Sequence, residues 1–344
     1  MNSPRNSALL ATLLLASSAS LPTQIFAADA PAKRVVLVSV TTGFRHSSIP
    51  TAERIIQKLA GESKDFSIVS MVQQPDIVVP RKPTPPKPLT EDANEAAKKR
   101  FEADTKRFNE AMAAWTPEID AQAAALQKSL SEEITKRLAA LAPDALEAQK
   151  IDGVIFVNTT GDLPLPDREG FIAWVQKGHA FMAMHSASDT FHNFRPYIEL
   201  LGGEFETHGS QVAVELEALD PAHPAAAGLP KPWPIAQEEM YHIKSYDRTR
   251  VHDILASATV PMDGKPKQGE KAHFPVSWVR EQGTGRVFYT SLGHREDVWD
   301  DDANLSKRLN SPEVSKQFQA HILGGIRWAL GLVKGDATPQ GKAQ

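Results

Sequence analysis

The chain contains no cysteine. That excludes a thiol nucleophile, disulfides and thiolate metal ligands, and it leaves histidine and carboxylate as the side chains able to hold a transition metal. There is no basic excess either. Lysine and arginine total 38 against 42 acidic residues, a formal net charge of −4. A nucleic-acid-binding surface needs concentrated cationic side chains for phosphate contacts, so no nucleic-acid partner is expected. Beyond the first thirty residues no apolar run approaches the length of a membrane span, and no stable span is expected. The turn after the first strand reads Thr41-Thr42-Gly43-Phe44-Arg45-His46 rather than a glycine-rich dinucleotide fingerprint. No nucleotide cofactor is expected there.

At the N-terminus, Arg5 precedes the apolar stretch Ala8 to Ser20, and small residues surround Ala28 and Ala30. This order of positive, apolar and small residues predicts a secretory signal peptide over residues 1–30 and a periplasmic or secreted protein. About 310 residues then remain, enough for one large domain with an elaboration.

The segment Lys33 to Val40 is nearly continuous in β-branched residues, as a strand buried on both faces requires. Ser48 and Pro50 open a helix, and Phe66 to Met71 reads as a second strand. Strand patterns return at Ile151 to Asn158, His179 to Met184 and Val212 to Leu219, then on either side of the turn Gln282 to Gly285. Helices are predicted at Asp167 to Lys177, Phe194 to Leu201 and Phe318 to Leu330. The alternation predicts an α/β domain over residues 31–331 with a mostly parallel sheet covered on both sides. Residues 77–150 interrupt it. Five prolines between Pro80 and Pro88 make a stiff link, and two apolar stripes at helical spacing follow, split at Thr116-Pro117. An inserted helical hairpin is expected there, able to cover a cleft or to pair two subunits in a homo-oligomer. Residues 332–344 form a C-terminal tail.

His46, His185 and His294 each lie at or just beyond the end of an apolar strand pattern, in segments far apart in sequence. Parallel α/β sheets bind ligands beyond the carboxyl ends of their strands, so these three imidazoles are expected to share one site. Three neutral imidazoles can hold a divalent metal, zinc being favoured, with a position left for water or substrate. Glu238 and Glu239 are adjacent carboxylates able to complete the set or to act as a general base. A metal-free site of histidine and carboxylate is the other arrangement of the same groups.

The segments TTGFRHSSI, AFMAMHSASDTFHNF, LLGGEFETHG, EEMYHI, GRVFYTSLGH and HILGGIRWALG, in this order, resemble the ThuA-like (trehalose utilisation) family. The resemblance covers residues 34–76 and 151–331; the helical insertion lies outside it. It implies a flavodoxin-like three-layer α/β/α domain related to class I glutamine amidotransferases. In those enzymes the elbow after the central strand presents a cysteine, whereas this chain has His185-Ser186 there. Thiolate chemistry is therefore excluded, and Ser186 as a nucleophile lacks an identifiable triad. The resemblance favours Glu239 over Glu238. It implies a carbohydrate substrate. From their placement and chemistry, His46, His185, Asp189, Glu239 and His294 are the expected catalytic set. His46, His185, Glu239 and His294 are the expected metal ligands. Arg45, Ser186, His208, Tyr241 and His242 are expected around the substrate, with Trp299 as a further apolar surface for a sugar ring. Arg45 is expected to hold an anionic or polyol oxygen, and His242 need not face the same way as Glu239 on an extended segment. His223, His252 and His321 are expected to be structural.

The expected reaction is cleavage of a 3-keto-glycoside by elimination and hydration, or isomerisation of a keto-sugar. A metal-dependent hydrolase of an unoxidised ester, amide or glycoside is the first alternative. A non-catalytic periplasmic carbohydrate-binding or interaction protein is the second.

Overall fold

Consecutive strand residues point to opposite faces of a sheet, and the first strand uses both faces. Val35 and Leu37 pack with Ile55, Ile56 and Leu59 on one side, while Val36 and Val38 pack with Phe171 and Trp174 on the other. In this computed structural model, which describes residues 32–258 and 273–341, the result is three layers. The expected signal peptide, residues 1–30, lies outside the described residues, as do residues 342–344 of the tail.

The elements run β1 (Lys33–Val38), α1 (Ile49–Ser63), β2 (Phe66–Val72), α2 (Glu95–Ala113), α3 (Pro117–Leu138), α4 (Pro143–Ala148) and β3 (Gly153–Val157). They continue α5 (Arg168–Gln176), β4 (Ala180–Met184), α6 (Arg195–Leu201), β5 (Glu204–His208), β6 (Val212–Ala218), β7 (Trp233–Glu238) and β8 (Tyr241–Lys244). Last come β9 (His252–Ser257), β10 (Phe274–Gln282), β11 (Gly285–Thr290), α7 (Glu296–Trp299) and α8 (Pro312–Ala329). Helix α8 buries Phe318, Ile322 and Ile326 beside α1, as its spacing predicts.

The main sheet has nine strands in the order β2-β1-β3-β4-β11-β10-β9-β6-β7. The first five are mutually parallel. From β11 onward every pairing is antiparallel. The sheet is therefore mixed: a largely parallel core, as expected, is extended by antiparallel strands. The reason lies in the connections. The two-residue turn Gly283-Thr284 joins β10 to β11 as a hairpin, and hairpins can only be antiparallel. β5 and β8 form a separate two-stranded ribbon.

Two helices, α2 and α3, follow the proline-rich link where the two apolar stripes stand. Asn94 caps α2 by accepting from Ala97 N, and Thr116 caps α3 by accepting from Ile119 N. Helix α2 has no buried residue, so Phe101, Phe108 and Met112 are at most half-buried; α3 docks on the domain through Ile134 and Leu138. The tail is partly packed: Gln340 donates its amide N–H to Val251 O, and its side chain bonds both backbone groups of Asp253. Among the described residues no helix is long and apolar enough to cross a membrane.

Candidate metal centre

Strands β1, β4 and β11 belong to the parallel core, so their carboxyl ends share one edge of the sheet. His46 follows β1 through the loop Ser39 to Arg45, His185 directly follows β4, and His294 follows β11 after three residues. The rings meet edge to face, with centroids 4.7 Å apart for His46–His185, 5.3 Å for His46–His294 and 5.4 Å for His185–His294. Glu239 arrives from the end of β7. In a flat sheet β7 would stand four strands, about 19 Å, from β11. The antiparallel half must coil back over the carboxyl edge to bring Glu239 Oε2 within 3.0 Å of His294 Nδ1 and 3.9 Å of His185 Nε2. One donor atom from each of His46, His185, Glu239 and His294 lies within 4.8 Å of all the others.

The surrounding contacts orient these donors. His185 Nδ1 lies 2.8 Å from Ser291 O, which can only accept. The ring therefore carries its proton on Nδ1 and presents a lone pair at Nε2. His185 itself has φ 50°, a left-handed conformation that few non-glycine residues adopt. His46 Nδ1 contacts Ser186 Oγ at 3.2 Å. With Nδ1–H donating to that hydroxyl, His46 Nε2 is left to face the centre. His294 Nδ1, although close to Glu239, makes no hydrogen bond of acceptable geometry and is buried. A nitrogen and a carboxylate oxygen aimed past each other in this way fit a shared cation. The residues present thus suit a divalent metal ion: neutral imidazoles, one carboxylate and no competing thiolate.

The sequence profile of the ThuA family, described as trehalose utilisation, matches residues 108–329, more than half of the chain. The chain belongs to the ThuA family. Its fold is similar to the crystal structure of a ThuA-like protein from Parabacteroides merdae. That match has 14% identity over 88% of this chain and 90% of the other, with a TM-score of 0.52. A ThuA-like protein from Bacteroides uniformis is similar at 14% identity over 90% and 95% of the two chains, with a TM-score of 0.51. At these identities the likeness is one of fold. No curated protein matches the chain.

Charge in the centre of this ThuA chain is distributed unevenly. Burial, with His294 nearby, pushes His46 down to about 4. Burial and the neighbouring His46 and His294 hold His185 well below its ordinary value. Both are neutral near pH 7, as metal ligation requires. Burial also pulls His294 down, but the Glu239 carboxylate outweighs it, and the net shift is upward. Positive charge is favoured at that one nitrogen, whether carried by a proton or by a metal ion. Glu238 turns the other way from Glu239. It is fully buried, accepts from Gly293 N at 3.3 Å and His294 N at 2.8 Å, and burial raises it to about 7.

Other expected site residues are placed differently from one another. The structure brings His208 to the centre: its Nδ1 is 3.1 Å from Glu239 Oε1, and its side chain is 44% exposed at the rim. Tyr241 pairs with His208 across the β5–β8 ribbon, stacks on His185 and lies 2.9 Å from its Nε2 through the hydroxyl. It is a buried wall rather than an open sugar platform. Ser186 is likewise buried and orients His46. Asp189 does not join the centre, because its carboxylate is taken by His192 Nε2 at 2.6 Å, whose Nδ1 bonds Glu204 at 3.0 Å. His242 points to the opposite face of β8, where its ring meets Phe274 edge-on. Arg45 points away from the centre, with Nη1 donating to Ser39 O at 2.9 Å. Trp299 is core, fully buried and donating to Gly293 O at 2.9 Å. His223, His252 and His321 are structural as expected; His321 Nδ1 donates to Ala225 O, and His252 bridges Asp220 and Thr338 O.

Phe44 was not among the expected site residues. It is 66% exposed, and its ring stands 4.8 Å from His46, edge-on. Its position one residue before Arg45-His46 was the available signal, but exposure is not written in the sequence.

Proposed function

We propose that this chain is an exported, metal-assisted carbohydrate-processing enzyme that cleaves 3-keto-glycosides by elimination and hydration. The observation that carries the reading is the convergence of His46, His185, Glu239 and His294 at the carboxyl edge of the sheet. Membership of a family described by trehalose utilisation supports the carbohydrate substrate. The parallel core, in the order β2-β1-β3-β4-β11, is read as a flavodoxin-like half extended by antiparallel strands. His185 occupies the elbow position.

His46, His185, Glu239 and His294 would hold the metal, for which zinc is favoured by the donor set. A divalent ion bound there supplies Lewis acidity toward the substrate carbonyl. His208, exposed beside Glu239, is the imidazole placed to move protons. It takes the proton from the carbon next to the carbonyl. The electron pair released forms a carbon–carbon double bond as the glycosidic C–O bond breaks, and the protonated imidazole returns the proton to the leaving oxygen. Water then adds across the double bond, giving the free keto-sugar. Arg45 takes no part, since it faces elsewhere.

The test is turnover of a 3-keto-glucoside and its unoxidised parent by the metal-loaded protein in deuterated water. The expected result is release of the aglycone from the keto substrate alone, with deuterium at the carbon beside the carbonyl. His208→Ala is expected to lower kcat by about 10²-fold or more while metal content holds. Equal turnover of the unoxidised glycoside would instead support a metal-dependent hydrolase. Saturable sugar binding without any product would support a binding protein.

A further inference from the structure

His46 and Arg45 are neighbours, their Cα atoms about 3.8 Å apart, yet they serve different spaces. His46 enters the metal centre. Arg45 lines a separate groove of about 470 Å³ between the loop after β1, the proline-rich link and helix α3. Two arginines, Arg45 and Arg81, line this groove, and no carboxylate does. Thr42, Gln74, Gln127 and Ser131 add hydroxyl and amide groups, and the aliphatic segment from Ile77 to Pro80 adds an apolar side.

Arg45 is half-buried. Only Nη1 is engaged, with Ser39 O; among the described residues Nε and Nη2 have no partner. The Glu53 carboxylate accepts from Ser39 Oγ and from Gln73 Nε2 at 2.6 Å, and makes no hydrogen bond to Arg45. These two donor positions are not sealed from solvent and are free to donate to a ligand in the groove. Its planar fork matches carboxylate and phosphate oxygens in pairs. The cavity volume is that of a small-molecule site.

We propose that this groove is a second ligand site, which takes a small polyhydroxylated anion: a single sugar ring bearing a carboxylate or a phosphate. Arg45 binds the anionic group from the domain side and Arg81 from the link. The hydroxyl and amide side chains read the ring. The insertion over residues 77–150 thereby acquires a role, as the outer wall of the site. The proposal stands on the groove alone and does not depend on the chemistry of the metal centre.

The test is calorimetric titration of the metal-loaded protein with glucuronate, glucose 6-phosphate, inorganic phosphate and neutral glucose. At least one of the two acidic sugars is expected to bind saturably, and the comparison between them identifies carboxylate or phosphate as the anionic group. Glucose and inorganic phosphate are each expected to bind about tenfold more weakly or worse. Arg45→Gln is expected to weaken the acidic sugar about tenfold or more. Arg81→Gln, at an exposed position, is expected to weaken it as well. Glu239→Ala, which removes a metal ligand, is expected to keep the anion affinity within about twofold. Absence of saturable binding, wild-type affinity in both arginine variants, or inorganic phosphate binding as tightly as the acidic sugars would overturn the proposal. So would loss of binding together with the metal, because that would place the ligand in the centre.

Discussion

The buried carboxylate of Glu238 accepts the backbone N–H of His294 at 2.8 Å. Its neighbour Glu239 approaches the imidazole of that same histidine at 3.0 Å. Adjacent acids on one strand end thus divide the work: one fixes the loop, the other faces the candidate metal centre. Glu238→Gln keeps an acceptor oxygen and removes a buried ionisable group. Its metal content and Tm are expected to stay close to wild type. Glu238→Ala leaves the N–H groups of Gly293 and His294 unsatisfied in a buried place, at about 1–3 kcal/mol for each. It is expected to lower Tm by several degrees and to reduce the divalent-metal content, as read by calorimetry and elemental analysis. If the alanine variant matches the glutamine variant, the loop is held by something else.

The partners of the ligating histidines give a prediction of opposite sign for two conservative changes. Ser186 meets His46 through Nδ1, the nitrogen remote from the centre. Removing such an outer partner weakens metal affinity by about 10–100-fold, and Ser186→Ala is expected to fall in that range. Tyr241 donates to His185 Nε2, the nitrogen that must ligate. One lone pair cannot serve both a hydroxyl proton and a metal ion. Tyr241→Phe is therefore expected to leave metal affinity unchanged or tighter in a competition titration with a chelator. Weaker binding in that variant would mean that Tyr241 itself faces the ion.

What could be read in advance followed from period and position. The β-branched run from Val35 to Val38, the helix start at Thr116-Pro117 and the inward face of α8 are local signals, and each formed where expected. His46, His185 and His294 were placeable because parallel strands deliver their carboxyl ends to one edge. β5, β7, β8 and β9 were not separately legible, since short antiparallel strands depend on partners distant in sequence. The direction of a side chain within a loop was not legible either. Arg45 and His46 diverge, and Asp189 is claimed by His192, because of contacts with Ser39 and Glu204 that no spacing rule encodes.

Phe44 offers an exposed ring at the edge of His46, with no packing role to lose. Sugar rings present apolar C–H faces, which aromatic rings cover well. Phe44→Ala is expected to leave Tm and metal content unchanged and to raise KM several-fold, with a smaller effect on kcat. Steady-state kinetics on the keto substrate read this directly. A fall in kcat at constant KM would instead assign the ring a part in positioning His46.

The segment after His294 carries a pH-dependent anchor that is independent of the metal ligands. Burial alone would raise Asp297, but Arg295 at 2.8 Å and the amides of Leu309 and Asn310 outweigh it, holding the carboxyl at about 2. A carboxylate depressed on folding contributes stability above its unfolded value of 3.8, and that contribution is lost as pH falls through about 2. The shift corresponds to about 2 kcal/mol. Asp297→Asn removes the charge while keeping one acceptor oxygen. Urea unfolding at pH 7 is expected to show a loss of this order in the variant, and the difference from wild type should shrink steadily between pH 4 and pH 2. A difference that stays constant over that range would mean that Asp297 acts through packing and not through its charge.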